Sequence, residues 1–181
     1  SVFDAHGVIK RFARVDDKLI VLKEDRIEYY KDVFSLPDRT IPMPKGCVLT
    51  SGCVHGGKVY YSVFNNDNQK TILYRISQEE NTVIYETCSS VLDIVSTKLG
   101  LVIVANDKLV MINEHDTTHE VSIPLPVTCV STASPFGSFF LLGTTTGLLI
   151  LVDTRSTIPI VTIKSHPVKT EITAVAIAMQ E

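Results

Sequence analysis

The sequence predicts an all-β fold built from four repeats, each with four antiparallel strands. Three observations support this prediction. The turn-forming residues between the first two strands of each repeat recur at intervals of roughly 40, 43 and 37 residues. The runs between turns are rich in Val, Ile, Thr and Tyr, and many of them alternate apolar with polar residues, as half-buried strands do. Apolar residues do not keep the spacing i, i+3, i+4 and i+7 for long enough to predict a helix.

Four turns mark the end of the first strand in each repeat, and a hydrophobic second strand follows each turn. Asp and Gly favour such turns because they tolerate unusual backbone angles or bond to their own backbone. The turns fall at Asp16 and Asp17, at Gly56 and Gly57, at Leu99 and Gly100, and at Phe136 and Gly137. The second strands are predicted at residues 19–22, 59–64, 101–105 and 139–142.

A second set of turns separates the second strand from the third, and a weaker fourth strand closes each repeat. These turns lie at residues 24–25, 65–70, 106–107 and 144–147, where Asn, Asp and Gly supply hairpin geometry. The third strands carry alternating apolar residues, at Ile27 and Tyr29, at Ile72, Tyr74 and Ile76, at Leu109 and Met111, and at Leu149 and Leu151. The fourth strands are predicted at residues 33–36, 82–85, 120–123 and 160–163.

The last repeat resembles a WD40 repeat. Gly147 precedes its third strand, Val152 and Asp153 close that strand where the family has Trp-Asp, and His166 stands where the family has His before the next blade. His6 holds the equivalent place about four periods earlier. The chain has no Trp, so the resemblance is to a divergent member. It implies a WD40-like β-propeller over residues 1–181, with blades at about 6–44, 45–87, 88–126 and 127–165 and the first strand of another at 171–179.

Four blades and one further strand do not make a closed ring in which both ends share a blade. A propeller protects its strand edges by closing, typically with 4–8 blades. We therefore expect a partial propeller, part of a six- to eight-bladed ring that another chain or segment completes.

Composition and charge disfavour several classes of function. The net charge is −3 and the basic residues are dispersed, which disfavours a nucleic-acid partner, and no apolar run approaches the ~20 residues that cross a bilayer. The four cysteines lack the two-residue gap of a redox or zinc pair. We expect an intracellular protein, cytoplasmic or nuclear, that does not insert in a membrane and has no cofactor, metal or small-molecule ligand.

The sequence also lacks the motifs that carry common chemistry. It has no G-x-S-x-G elbow, P-loop or G-x-G-x-x-G, and the stretch from Gly143 to Gly147 has no Lys to bind phosphate. His115 and His119 are four residues apart, but they lie in a predicted loop, which favours a surface turn over a metal site. We predict no catalytic residue.

The predicted function is a non-enzymatic protein–protein interaction scaffold, the propeller module of a larger multi-subunit assembly of trafficking, pore or ubiquitin-ligase type. In the orientation that the resemblance implies, the loops before the first strands and the turns between second and third strands share one face. The candidate protein-binding residues on that face are His6, Arg26, Lys45, Asn66, Asp107, Lys108, Thr145, His166 and Lys169, and on the opposite face they are Phe136 and Arg155.

Two alternatives stay open. An enzyme or ligand-binding propeller would use a central channel, to which the first strands offer Arg11, Arg14, His55 and Asp93. A substrate receptor of a cullin-RING ligase would use a box in the last repeat, because residues 152–155 resemble the Trp-Asp-x-Arg sequence of such receptors. There Arg155 would dock, although an Arg that caps the hairpin explains the same residues.

Overall fold

The computed structural model describes residues 7–77, 80–123, 126–131, 138–155, 160–165 and 170–176. These residues form sixteen strands in four antiparallel four-stranded sheets, and each sheet keeps its strands in sequence order. This confirms the predicted all-β fold class. The chain divides into two compact units, residues 1–89 and residues 90–181.

Unit 1 contains two sheets, joined by the loop at residues 43–46. The first sheet consists of β1 (Ile9–Val15), β2 (Lys18–Lys23), β3 (Arg26–Tyr30) and β4 (Arg39–Pro42). The second consists of β5 (Cys47–His55), β6 (Lys58–Asn65), β7 (Lys70–Ser77) and β8 (Glu80–Thr87).

The two sheets of unit 1 share a hydrophobic core. Ile20, Leu22 and Ile27 from the first sheet pack in one cluster with Leu49 and Tyr61 from the second. Alternation along β2 and β3 places these side chains on one face of the sheet. Each buried aliphatic side chain of this size contributes about 1.5–3 kcal/mol through removal of apolar surface from water.

Unit 2 repeats the arrangement with two further sheets. Its first sheet consists of β9 (Val91–Thr97), β10 (Gly100–Ala105), β11 (Lys108–Ile112) and β12 (Thr118–Ser122), and its second of β13 (Val127–Val130), β14 (Phe139–Thr144), β15 (Leu148–Asp153) and β16 (Ile160–Ser165). Val104 and Leu109 from the first sheet pack with Phe140, Leu142 and Ile150 from the second.

The prediction for the fourth strand of the first repeat is wrong. The predicted strand at residues 33–36 is a turn, and β4 forms instead at Arg39–Pro42. The side chain of Asp32 accepts a hydrogen bond from the backbone N–H of Phe34 at 2.8 Å. This N–H is therefore not available for pairing with a neighbouring strand. Ile41 pairs with Ile27 across the sheet and packs against the core of unit 1. The packing of partly buried Ile41 against the core therefore favours a strand at this position, and the apolar run at residues 33–36 is left outside.

The first turns follow the prediction in the first two repeats and shift by one residue in the third. Asp16, Gly56 and Gly57 have positive φ in tight turns. In the third repeat the turn is formed by residues 98–99, and Gly100, with φ of 135°, already pairs with Thr97 as the first residue of β10. The predicted turn at Phe136 and Gly137 lies outside the described residues.

The segment after β16 was predicted to begin a further blade. Its described part, residues 170–176, has no assigned strand, but the N–H of Ile172 donates to the carbonyl oxygen of Thr144 at 3.0 Å. The hydroxyl of Thr128 donates to the carbonyl oxygen of Ile172 at 2.5 Å. A first strand at 171–179 therefore stays a prediction, with the described segment attached to the last sheet.

Candidate protein-interaction surfaces

One backbone hydrogen bond recurs in all four sheets. In each sheet, an N–H in the turn between the second and third strands donates to a carbonyl oxygen just before the first strand or at its start. The donors are Glu24, Asn66, Asn106 and Thr145, and the acceptors are Val8, Gly46, Ser90 and Pro126, at 3.1, 2.9, 3.0 and 3.2 Å. These turns and the loops before the first strands, which we call the turn face of each unit, are thus held together as the resemblance implied.

A second recurring bond links neighbouring sheets within each unit. In unit 1 the N–H of Leu49 donates to the carbonyl oxygen of Glu24 at 2.9 Å, and in unit 2 the N–H of Val127 donates to that of Asn106 at 3.1 Å. The turn thus donates a backbone hydrogen bond to its own sheet and accepts one from the next sheet, and both bonds restrain its position.

Six of the predicted binding residues lie on the turn face. Arg26, Lys45 and Asn66 belong to unit 1, and Asp107, Lys108 and Thr145 belong to unit 2. His6, His166, Lys169 and Phe136, of which the last was predicted for the opposite face, lie outside the described residues.

The side chains of the turn face fall into two groups. Lys45, Asp107 and Thr145 are exposed, and exposed Asn66 donates from Nδ2 to the carbonyl oxygen of Gly46 at 3.0 Å. The two remaining cations support the fold. Arg26 contacts Glu28 and Asp25 at 2.5 and 2.6 Å, and Lys108 contacts Glu120 at 3.2 Å.

A buried charged cluster lies beneath Arg26 in the first sheet. Lys23 Nζ lies 2.7 Å from Glu28 Oε2, and the hydroxyl of Tyr30 donates to the same oxygen at 2.6 Å. The two charged side chains are 1% and 6% exposed. Alternation along β2 and β3 places them on the face of the sheet opposite Leu22 and Ile27.

The cluster shifts the pKa of both acids in it. Burial alone would raise the pKa of Glu28, but hydrogen bonds from Lys23, Tyr30 and Arg26 outweigh burial and lower this pKa to about 2. Burial and the bond to Glu28 raise the pKa of Tyr30 to about 12. Sequence reasoning missed this cluster, because Lys and Glu are almost never fully buried unless they are paired, and this pair joins two different strands.

The opposite face of unit 1 is formed by the turns between first and second strands together with the loop between β3 and β4. A cavity of about 400 Å³ opens there between the two sheets. Its floor includes Ile20, Val59 and Ile76. Its charged and aromatic lining consists of Asp16, Lys18, Tyr29, Asp38, Arg39 and Lys58.

The loop between β3 and β4 exposes a group of large apolar side chains. Phe34 and Leu36 are 83% and 86% exposed, and Val33 is half exposed. Asp38, at the end of this loop, and Arg39 line the cavity, and the guanidinium of Arg39 lies 5.7 Å from the centre of the Tyr29 ring. Sequence reasoning assigned this apolar run to a strand and so missed its exposure.

Unit 2 has a smaller cavity in the equivalent place. It measures about 200 Å³, and Leu99, Met111, His119 and Thr154 contribute to its lining. Nearby, Arg155 donates from Nε and Nη2 to the two carboxylate oxygens of Asp153 at 2.9 and 2.8 Å, and its N–H donates to the same carboxylate. These bonds hold the pKa of Asp153 down at about 2. Arg155 therefore closes a local turn directly after β15.

Two of the residues named for a central-channel site, His55 and Asp93, are half-buried. Burial lowers the pKa of His55, and the carboxylate of Asp93 accepts the N–H of its neighbour Ile94 at 2.8 Å. Within the described ranges, no group of three or more His, Cys, Asp and Glu side chains could hold a metal ion. Nor do the described residues include a helix with the length and hydrophobicity that a membrane span requires.

Comparison with known proteins places the fold. No protein-family model and no curated protein matches the sequence. Solved structures do match. BBS1N in complex with ARL6DN is 15% identical with a TM-score of 0.66, and the match covers 93% of this chain and 57% of that one. The β-propeller domain of Cps50 (Swd1) from Myceliophteria thermophila is 17% identical with a TM-score of 0.62, and the match covers 93% of this chain and 58% of that one. Virginiamycin B lyase from Staphylococcus aureus is 10% identical with a TM-score of 0.67, and the match covers 97% of this chain and 61% of that one.

The chain thus spans less than two thirds of the length of each of these three structures. At such low identity the similarity concerns the fold alone, and it agrees with the four antiparallel sheets and with the resemblance in the last repeat. The four sheets of this chain are blades of a β-propeller fold, the fold that the resemblance of the last repeat to a WD40 repeat implies.

Proposed function

We propose that this chain is a non-enzymatic protein–protein interaction module, the propeller part of a larger multi-subunit assembly in the cytoplasm or nucleus. The observation that carries the proposal is the recurring pair of backbone hydrogen bonds on the turn face. Loops fixed in this way lose little conformational entropy when a partner binds, which favours their use as a contact surface.

The turn face presents polar residues and charges of both signs to a partner. Lys45 and Asn66 in unit 1 and Asp107 and Thr145 in unit 2 are exposed, and Arg26 and Lys108 add partly exposed cations. Both signs of charge are present, so we expect a polar protein surface as the partner rather than nucleic acid. BBS1N, which has a similar fold, was solved in complex with ARL6DN, and this supports a protein partner. The proposed partners include the chain or segment that completes the ring.

Charge reversal on the turn face tests the proposal. The tagged chain would be used to isolate partners from an extract of cells that express it, as wild type and as the Lys45→Glu and Asp107→Lys variants. Lys98→Glu is the matched control, because Lys98 is an exposed lysine in the turn between β9 and β10, away from the turn face. Recovered proteins would be quantified by mass spectrometry.

We expect Lys98→Glu to retain the wild-type partners, and each turn-face variant to recover at least one of them about tenfold less, as like charges at a contact do. Equal recovery by all four proteins would contradict a role for the turn face. Loss in Lys98→Glu alone would assign binding to the opposite face of unit 2.

A further inference from the structure

The loop between β3 and β4 concentrates exposed apolar surface. Phe34 and Leu36 are the two most exposed large hydrophobic side chains in the described part of the chain, and Val33 lies beside them in sequence. Scattered single apolar residues are normal on a protein surface, but several within four positions mark a contact site. The loop is thus the strongest apolar feature on the surface of unit 1.

The loop is held in one conformation by polar bonds. Asp32 accepts the N–H of Phe34 at 2.8 Å, and its carbonyl oxygen accepts the hydroxyl of Ser35 at 3.2 Å. At the other end, the N–H of Asp38 donates to the carbonyl oxygen of Tyr29 at 2.8 Å. The protein therefore maintains these apolar side chains in solvent in an ordered loop, which lowers the entropy cost of binding.

The cavity of unit 1 adjoins this loop and adds positive charge. Lys18 and Lys58 are the first residues of the two second strands, so they stand at equivalent points on either side of the cavity. Neither forms an ion pair with another described residue. Together with Arg39 they bring three cationic side chains to the lining of the cavity, which holds two carboxylates, those of Asp16 and Asp38.

We infer that the opposite face of unit 1 binds an extended segment of a second protein that carries apolar side chains next to a carboxylate. The apolar side chains would pack on Phe34 and Leu36, and the carboxylate would enter the cavity between Lys18 and Lys58. A cavity of about 400 Å³ has room for a side chain of this kind, and its net positive charge selects an acidic one.

This inference deepens the proposed function, because it names the chemistry of one partner segment. It uses residues outside the turn face, so either can fail without the other. The test is to pan a random 12-residue peptide library displayed on phage against the immobilised 181-residue chain. Enriched peptides are then made with a fluorescein label, and their binding is measured by fluorescence anisotropy.

We expect enriched peptides to combine apolar residues with Asp or Glu. Phe34→Ser and the double variant Lys18→Glu/Lys58→Glu should each weaken binding about tenfold or more, as loss of a contact anchor does. Val83→Ser and Lys98→Glu are the matched controls, because Val83 is another exposed apolar residue of unit 1 and Lys98 is an exposed lysine of unit 2. Both controls should bind as wild type does.

Enriched peptides without an acidic residue, or binding that the lysine reversals leave unchanged, would overturn the charge assignment. Enrichment of no peptide at all would overturn the inference. Sedimentation velocity and flotation with phosphatidylserine vesicles complete the test. Self-association or vesicle binding that Phe34→Ser abolishes would show that a second copy or a lipid surface occupies the loop, and would overturn the proposed occupant.

Discussion

Lys23 and Glu28 form an ion pair inside the first sheet, with 2.7 Å between Nζ and Oε2 and both side chains almost fully buried. Ion pairs of this kind cost much to break, because removal of one partner leaves the other charge buried and uncompensated. The pair lies beneath Arg26, which also binds Glu28, so it connects the core of the sheet to the turn face.

Loss of the Glu28 charge should destabilise the chain strongly. Glu28→Gln leaves Lys23 charged and buried, and we expect about 3 kcal/mol less free energy of unfolding in urea titrations followed by circular dichroism. The matched control is Glu86→Gln, which breaks the exposed pair between Lys70 and Glu86. That variant should lose under about 1 kcal/mol. Similar losses in both variants would contradict a special role for the buried pair.

The lowered pKa of Glu28 predicts that the stability of the fold depends on pH. The pKa of Glu28 is lowered from 4.5 to about 2 in the folded chain, so between these values the unfolded chain binds the additional proton. The stability contributed by Glu28 is therefore complete above the unfolded value and is lost as pH falls toward about 2. Urea midpoints measured between about pH 5.5 and pH 2.5 should fall more steeply for wild type than for Glu28→Gln. Parallel curves would show that Glu28 does not titrate in this way.

Truncation of Phe34, in the loop between β3 and β4, and of Phe140, in the core of unit 2, should affect stability differently. Phe140 is fully buried in unit 2, and Phe34 is 83% exposed in unit 1. Phe140→Ala should cost about 3–5 kcal/mol in the unfolding titration, because it leaves a cavity. Phe34→Ala should change stability by about 0.5 kcal/mol or less. A large loss for Phe34→Ala would mean that residues 33–36 pack as a strand after all.

Gly100 should not tolerate a side chain. A Cβ atom at this position would overlap the carbonyl oxygen of Ile112 on the neighbouring strand, and φ is 135°. We expect Gly100→Ala to cost about 2 kcal/mol or more, because the backbone pairing of β10 with β11 must shift. Gly56→Ala is the control: φ is also positive, but nothing lies within 4 Å of the added atom. It should cost only about 1 kcal/mol, from backbone strain. Thermal unfolding by circular dichroism compares the two, and equal losses would contradict the overlap.

Most strands could be predicted because their signals are local. Alternation along β7 and β11 and the glycines of the β5–β6 turn fix extended backbone and reversal within a few residues. Less of the candidate site follows from the sequence. The repeat places Arg26 and Lys108 at the start of third strands, but their ion pairs depend on Glu28 and Glu120, which the pattern does not connect to them.

The sequence by itself determined the repeat, the strand class and the turns, since these follow from residue preferences over short stretches. Tertiary structure decided which apolar residues are buried. Ile41 pairs with Ile27 and reaches the core of unit 1, whereas Phe34 and Leu36 have the same hydrophobic character and remain in solvent. Burial depends on strand register and on the neighbouring sheet, and these are contacts between residues distant in sequence. For the same reason Lys23, which follows a hydrophobic run, lies buried against Glu28 instead of in water.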